Sequence, residues 1–303
     1  MNITTLEQEY ARTIITLTRT GLLANLPRSQ KSGVVGFDGK EYPVPTREQL
    51  RQLFTRNKEL VDRKSRQGFT LLQLTPIAMP VSGFMDRVKT VIIDHAAAGK
   101  ILRTKMNATE DDIPVDVNTR APVWIWERVR QVLDTPAVVY FPQVYIGQNH
   151  QGFTKEEVMQ NTRFCAVPGW SVGLIEPMPV MPQPGQGKVV GGRKRLETYF
   201  TPRDYLQTLN TSAYQGETGW TLEDFLTYFI TRLETTHQVS HDRYDSNALW
   251  LLGMYLPDLK KTPNIVPVGY WSRDVGRKLY LSAHRTGNHF QILGARSMVR
   301  LGS

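Results

Sequence analysis

The sequence predicts a loop-rich α+β protein that combines several helices with a small, mostly antiparallel sheet. Helical periodicity follows capping signals at Thr46 and Thr221, strand-like alternation begins at Ile265, and residues 168–192 are rich in proline and glycine. With 303 residues, of which 40% are hydrophobic, the chain can bury a large core. A mainly disordered protein is therefore not expected.

The first half of the chain is predicted to be largely helical. Apolar residues at helical spacing predict an amphipathic helix over residues 5–25, and Thr46-Arg47-Glu48-Gln49 has the capping-box pattern that starts a second helix. The same reasoning predicts a β-rich run over 69–80, a helix over 84–102, a loop over 107–122, a helix over 124–133 and a strand over 137–146.

The second half is predicted to change from loop to helix to strand. Residues 168–192 show little periodicity, so they form either a long loop or a domain boundary. A helix starts at Thr221, an apolar run covers 248–256, and strands follow from Ile265. We therefore predict one large domain over 1–303 with an N-terminal helical elaboration, and a division near 168–192 as the alternative.

Composition limits the compartment and the partners. The chain has one cysteine, Cys165, so its fold does not depend on an internal disulfide, and no signal peptide or membrane span is evident. Folding in a reducing cytosol is expected, with later display on a virion or cell surface left open. The formal net charge of +9 favours anionic partners, and residues 268–301 hold six basic residues against the single acid Asp274.

Each chemical motif in the chain has a simpler interpretation as structure. His237 and His241 are spaced as metal ligands but stand at a predicted helix end. The glycines of 185–191 lack the spacing of a phosphate loop, and the basic trio 193–195 beside them could contact phosphate. Cys165 has no neighbouring base or orienting partner, and Ser171 in Gly169-Trp170-Ser171-Val172-Gly173 lacks the strand–turn–helix context of a nucleophile elbow. The acid pairs 111–112 and 156–157 are typical of solvated surface. We predict no catalytic residues, no metal site and no cofactor.

The segment from Val268 to Phe290 differs in kind. It mixes Tyr, Trp and Arg with Ser, Asn and Gly between a few apolar positions, a composition typical of protein-binding surfaces. If Leu279 and Leu281 point inward, the intervening residues point outward. An ordinary exposed hairpin remains the alternative.

The order of these C-terminal elements resembles the closing part of a C-type-lectin-like fold. An aromatic strand at 269–271, a Leu-Tyr-Leu strand at 279–281 and the strand-like 294–301 follow one another across polar stretches. The chain is similar to lectin folds of the formylglycine-generating-enzyme type, particularly the variable proteins of diversity-generating retroelements. The resemblance covers about 35 residues. It implies an irregular lectin-like domain whose display region is 268–301.

In that family, the buried apolar residues of the scaffold stay fixed, whereas the outward residues of the final strands and loops vary. By position, the resemblance assigns the scaffold to Trp271, Leu279, Leu281, Gly294, Ala295 and Val299. It assigns ligand binding to Tyr270, Ser272, Arg273, Asp274, Arg277, Lys278, Tyr280, Ser282, His284, Arg285, Asn288 and His289.

The resemblance implies a non-enzymatic protein that binds a protein or other macromolecule. The enzyme branch of the fold uses several cysteines, whereas this chain has only Cys165. No cluster of acidic ligands for calcium occurs at the C-terminus. Two alternatives stay open, namely a nucleic-acid-binding protein that uses a basic surface and an enzyme that uses unrecognised polar residues.

Overall fold

The structure is a computed structural model that describes residues 3–105, 109–178, 180–245, 247–257 and 264–302. It is an α+β fold with 32% helix and 23% strand. The α-helices in the described residues are α1 (Ile3–Arg19), α2 (Arg47–Arg56), α3 (Lys58–Arg66), α4 (Val81–Ala97), α5 (Glu127–Arg130), α6 (Lys155–Gln160), α7 (Pro202–Leu209) and α8 (Leu222–Thr236).

The strands in the described residues are β1 (Ala24–Asn25), β2 (Ser32–Val35), β3 (Glu41–Pro43), β4 (Leu71–Thr75), β5 (Val123–Ile125), β6 (Val139–Tyr140), β7 (Ser171–Ile175), β8 (Val189–Val190), β9 (Arg193–Lys194), β10 (Glu217–Gly219), β11 (Ala248–Trp250), β12 (Met254–Tyr255), β13 (Ile265–Ser272), β14 (Lys278–Arg285), β15 (Leu293–Ala295) and β16 (Ser297–Arg300). Most of these strands have two to five residues, whereas β13 and β14 have eight each.

Two sheets form the centre of the molecule. The larger has five strands in the order β15-β11-β13-β14-β5, and the other has four in the order β10-β16-β7-β4. Most pairs are antiparallel, while β11 with β15 and β14 with β5 are parallel. Three smaller sheets pair β1-β2-β3, β12-β6 and β8-β9.

Helix α8 joins the two central sheets, since it packs against β4, β13, α1 and α4. It begins at the predicted capping box, where the Thr221 side chain accepts from the amide of Asp224 and the Asp224 side chain accepts from the amide of Thr221. Phe225 and Phe229 are fully buried. One hydrophobic cluster runs from Leu6 to Leu301, so both ends of the described chain share a core.

Two buried ion-pair networks accompany this core. Arg300 bonds the carboxylate of Asp224 and the hydroxyl of Ser171, and its Nε donates to Thr218 Oγ1 at 2.8 Å. Nearby, Glu217 accepts from Arg193 Nε at 2.7 Å and from Lys64 Nζ at 2.6 Å. Buried charges of this kind are tolerated because each has a charged partner.

Several elements match the sequence predictions. The N-terminal helix, the capped helix at Thr46, the helix from Thr221 and the strands from Ile265 are all present. The helix predicted over 84–102 instead spans Val81–Ala97 and begins directly after Pro80, because the carboxylate of Asp134 accepts from the free amides of Val81 and Ser82 in its first turn. The helix that starts at Thr46 is interrupted at Asn57, which caps α2 and precedes α3.

Three predictions in the middle of the chain are wrong. The sequence predicts a helix over 124–133, but Val123–Ile125 form strand β5 because they pair with β14, and only Glu127–Arg130 are helical. The strand predicted over 137–146 is reduced to Val139–Tyr140. The irregular stretch 168–192 contains β7, a fully buried strand between β4 and β16.

In the ranges that the structure describes, no helix is long and apolar enough to cross a membrane. The predicted loop 107–122 lacks regular helix or strand from residue 109 onward, and residues 107 and 108 lie outside the described residues.

Candidate binding surface

The candidate site is the outer face of β14 together with Tyr270, the half-exposed residue of the otherwise buried strand β13. Buried and half-exposed residues alternate along β14, so its two faces have different environments. All six predicted scaffold residues are buried: Trp271, Leu279, Leu281, Gly294, Ala295 and Val299. Eleven of the twelve predicted outward residues are exposed or half-exposed: Tyr270, Arg273, Asp274, Arg277, Lys278, Tyr280, Ser282, His284, Arg285, Asn288 and His289.

Ser272 is the exception, and the prediction that it points outward is wrong. Its side chain is fully buried, and its hydroxyl donates to Asp274 Oδ1 at 2.9 Å. The same hydroxyl accepts from the amide of Val275 at 3.2 Å. Ser272 therefore stabilises the turn after β13. Its hydroxyl bonds to residues of the turn, where the hydrogen bonds between β13 and β14 have ended.

Three aromatic rings adjoin one another on this face. Tyr270 pairs with Tyr280 across the hairpin, and their rings are parallel within 3° with centroids 5.3 Å apart. On the other side of β14, Trp124 pairs with Tyr280, and these centroids are also 5.3 Å apart. Trp124 is 38% exposed. Tyr280 is therefore flanked on both sides by rings, and the three together form an amphipathic surface.

Sequence reasoning misses Trp124, because it assigns this residue to a helix. The available signal was the run Val123-Trp124-Ile125, which joins residue types that favour strands and places an exposed aromatic between two half-buried aliphatics. The site thus includes a residue that is distant in the chain from the C-terminal segment.

A basic turn borders the aromatic rings. Arg277 has a positive φ of 52°, and its carbonyl accepts from the amide of Asn118 at 2.8 Å. Its guanidinium donates to Asp116 at 3.1 Å, in a pair whose side chains are both largely exposed. Lys278 Nζ lies 5.9 Å from the centroid of the Tyr280 ring. The turn is thereby fixed at its backbone while its charged side chains remain accessible.

A second aromatic group lies at the opposite end of β14. His284 contacts Phe290 and Trp250, with ring centroids 4.8 Å and 5.9 Å apart. His289 contacts the exposed ring of Tyr199 at 5.0 Å. Burial lowers the pKa of His284, so its ring is neutral at neutral pH.

Arg273 is held rather than free. Its guanidinium donates to Asp245 at 2.9 Å, approaches Asp242 at 3.5 Å and lies 4.0 Å from the centroid of the Tyr244 ring. Burial raises the pKa of Asp242 to about 6, although Arg273 and the amide of Tyr244 both oppose that rise. Arg273 therefore stabilises the loop before β11 and contributes to the surface with its remaining 18% exposed side chain.

The positive charge of the C-terminal segment lies only partly on this surface. Arg300 is paired internally with Asp224, and Arg296 is 7% exposed and bonds the carbonyls of Glu176 and Met178. Two of the six basic residues are therefore buried and bond to groups inside the protein. Four remain near the face: Arg273, Arg277, Lys278 and Arg285.

The basic trio that motivated nucleic-acid binding is neutralised by acids. Arg193 is fully buried against Glu217 and Glu176, and Arg195 Nε lies 3.3 Å from Glu176. Lys194, which is half-exposed, pairs with Glu197 at 3.0 Å. Because desolvated, paired guanidinium groups cannot release counterions from a polyanion, Arg193 cannot act as a phosphate contact.

The two histidines with metal spacing do not come together on one helix. His237 ends α8 with a positive φ, whereas His241 is fully buried among the rings of Trp220, Phe225 and Tyr228. Among the described residues, no group of three His, Cys, Asp or Glu side chains could hold a metal ion. Burial lowers the pKa of His241 well below its ordinary value.

The candidate nucleophiles are also part of the interior. Ser171 is fully buried at the start of β7, and burial raises the pKa of the Cys165 thiol to about 12. The glycine-rich stretch 185–191 leads into the short hairpin β8–β9, and Glu197 accepts from the amide of Gly187 at 2.7 Å. The amide of Gly187 is thus already bonded to a carboxylate of this chain.

Comparisons with known proteins give no relative for this chain. No family model, no curated protein and no solved structure matches it.

Proposed function

We propose that this chain is a non-enzymatic binding protein that presents the outer face of β14, with Tyr270 of β13 and Trp124 of β5 beside it, to a protein or another macromolecule. The observation that carries the proposal is the alternation along β14. Half-exposed polar and aromatic residues alternate there with buried apolar residues. Such a strand tolerates change on one face while the other face preserves the fold.

We further propose that the fold is C-type-lectin-like and that the surface is diversified, as in variable proteins of retroelements. Support comes from the long C-terminal hairpin, from the burial of all six scaffold positions and from the aromatic, basic and small polar composition of the face. Tyr, Trp and Arg provide large contact areas at low entropic cost. Trp124 would be a fixed anchor beside the variable residues.

Two display libraries on one strand would test the binding role. The first randomises Lys278, Tyr280, Ser282 and His284, and the matched control randomises Leu279, Leu281 and Ala283. We expect most members of the first library to resist proteolysis and to yield specific protein binders, while most control members unfold. Equal loss of folded protein in both libraries, or no specific binder from the first, would contradict the proposal.

Sequencing the DNA that flanks the gene would test diversification separately. We expect a second, near-identical copy of the codons for Val268 to Leu301 that differs at template adenines, with a reverse transcriptase gene nearby. If neither is present, diversification is rejected. Binding through the same face is then decided by the two libraries alone.

A further inference from the structure

A cavity of about 260 Å³ opens at the surface where four parts of the chain meet, and it shares no residue with the proposed binding surface. It is lined by the junction of α2 and α3, by the pair Arg163 and Phe164, by residues 216–218 at the start of β10 and by the end of β16. Its volume corresponds to roughly nine waters at about 30 Å³ each, so it can hold a small organic molecule.

This cavity is continuous with a smaller one of about 50 Å³, because Arg163, Phe164 and Thr218 line both. The ring of Phe164 stacks on that of Phe141, with centroids 4.2 Å apart and planes inclined by 13°. The joined cavities therefore have an apolar wall that packing holds in place. The apolar residues of this wall are Leu60, Phe141, Phe164, Leu206, Leu209 and Leu252.

The charge around the larger cavity is unbalanced. Its eight lining residues all belong to the described part of the chain, and none of them is acidic. Two are arginines, of which Arg300 is buried and paired with Asp224. Arg163, by contrast, is exposed and forms no ion pair within the described residues. Its guanidinium carbon lies 5.4 Å from the centroid of the Phe164 ring, so an uncompensated cation stands beside the apolar wall.

The other polar groups of the joined cavities do not oppose an anion. Thr218 Oγ1 accepts from Arg300 Nε at 2.8 Å, so its own hydroxyl proton is free to donate. Glu217 lines the smaller cavity, but its side chain is 0% exposed and its carboxylate bonds Arg193 and Lys64. The negative charge of Glu217 is therefore already balanced inside the protein.

We propose that this cavity binds a small organic anion in which one carboxylate is joined to a short apolar body. The carboxylate accepts from the Arg163 guanidinium, and the apolar body packs against Phe164 and Leu60. A cation of the same shape is repelled by Arg163, while an anion without an apolar body gains nothing from the wall. Both parts of the ligand consequently contribute to selectivity.

Calorimetric titration of the full chain with chosen probes tests the proposal. Phenylacetate joins a carboxylate to an apolar ring, acetate carries the carboxylate alone, and benzylammonium joins the same ring to the opposite charge. We expect saturable binding of phenylacetate, with acetate and benzylammonium binding at least about tenfold more weakly. Absence of saturable phenylacetate binding would overturn the proposal, as would benzylammonium binding of equal affinity.

Charge reversal at Arg163 identifies the residue responsible. Arg163→Gln should weaken phenylacetate binding by about tenfold or more, because it removes a charged hydrogen bond. Arg163→Glu should abolish phenylacetate binding and should bind benzylammonium instead. Since Arg163 is exposed, both variants should keep the fold, which thermal unfolding without probe verifies.

Arg128 provides the matched control. It is also exposed, and its guanidinium carbon likewise lies 5.4 Å from an aromatic centroid, that of Trp126, but it lines neither cavity. Arg128→Glu makes the same change in net charge and should bind phenylacetate as the parent does. Unchanged phenylacetate affinity in Arg163→Glu, or an equal loss in Arg128→Glu, would refute this site.

Discussion

At the scale of single residues, His241 has the environment with the clearest consequence for pH. Its ring is fully buried, and neither ring nitrogen has a hydrogen-bond partner among the described residues. The folded protein therefore keeps His241 neutral, whereas the unfolded chain takes up a proton below about pH 6.5. Stability contributed by this difference is complete above the unfolded pKa and falls as the pH drops below it.

We expect the free energy of unfolding of the parent protein to fall by about 1 kcal/mol more than that of His241→Asn between about pH 7 and about pH 5.5. Asparagine is suited to the positive φ of 57° at this position and does not titrate. Urea unfolding of both proteins across this range measures the difference. Asp242, whose raised pKa of about 6 gives the opposite pH dependence, is common to both and cancels. Parallel curves would show that His241 titrates freely in the folded protein.

The ion pair of Arg300 with Asp224 provides a second residue-scale prediction. Asp224→Ala leaves the Arg300 guanidinium buried without its carboxylate, so we expect a loss of about 3–5 kcal/mol of stability. The exposed pair of Lys58 and Asp62, at 3.0 Å, is the control, and Asp62→Ala should cost less than about 1 kcal/mol. Chemical denaturation compares the two variants, and similar losses would contradict the assignment of Arg300 to the interior.

At the scale of elements, Gly269 determines how closely β13 approaches α8. A Cβ atom at this position would lie 2.5 Å from Phe225 Cε1. We expect Gly269→Ala to destabilise the protein by about 1–3 kcal/mol, because the ring or the strand must move. A Cβ atom at Gly287 would meet no heavy atom within 4 Å beyond its chain neighbours, so Gly287→Ala should change stability by less than about 0.5 kcal/mol. Equal melting temperatures for the two variants would show that the contact is not tight.

The elements that sequence predicted correctly carry their signals locally. The helices after Thr46 and Thr221 begin at capping boxes, which depend on four consecutive residues. The outward residues of β14 followed from period-two alternation, which any strand with one buried face must show. Most of the proposed binding surface was therefore accessible from the sequence.

The elements that sequence predicted wrongly depend on distant partners. Strand β7 is buried on both faces between β4 and β16, so it shows no alternation and resembles an irregular apolar run between prolines. Strand β5 forms only because β14 lies beside it. The burial of Ser272, Arg296 and Arg193 likewise depends on contacts that no local pattern encodes.

At the scale of the whole molecule, the shared core predicts cooperative unfolding. Leu17 in α1 and Leu281 in β14 belong to the same buried cluster. We expect calorimetry to show one transition, and we expect Leu17→Ala and Leu281→Ala each to lower its midpoint, through a loss of about 2–5 kcal/mol. Two transitions that respond separately to the two variants would instead indicate a domain division, such as the one considered near 168–192.

The position of β16 between β10 and β7 has a consequence for synthesis. Strands β4 and β7 leave the ribosome well before residues 297–300, which complete the four-stranded sheet. At about 5–20 residues per second, about 6–24 seconds separate the appearance of β7 from that of β16. During this interval the edge of β7 lacks its final partner, and an unpaired edge of this kind recruits other strands. The edge of β7 is thus open to aggregation until β16 is made.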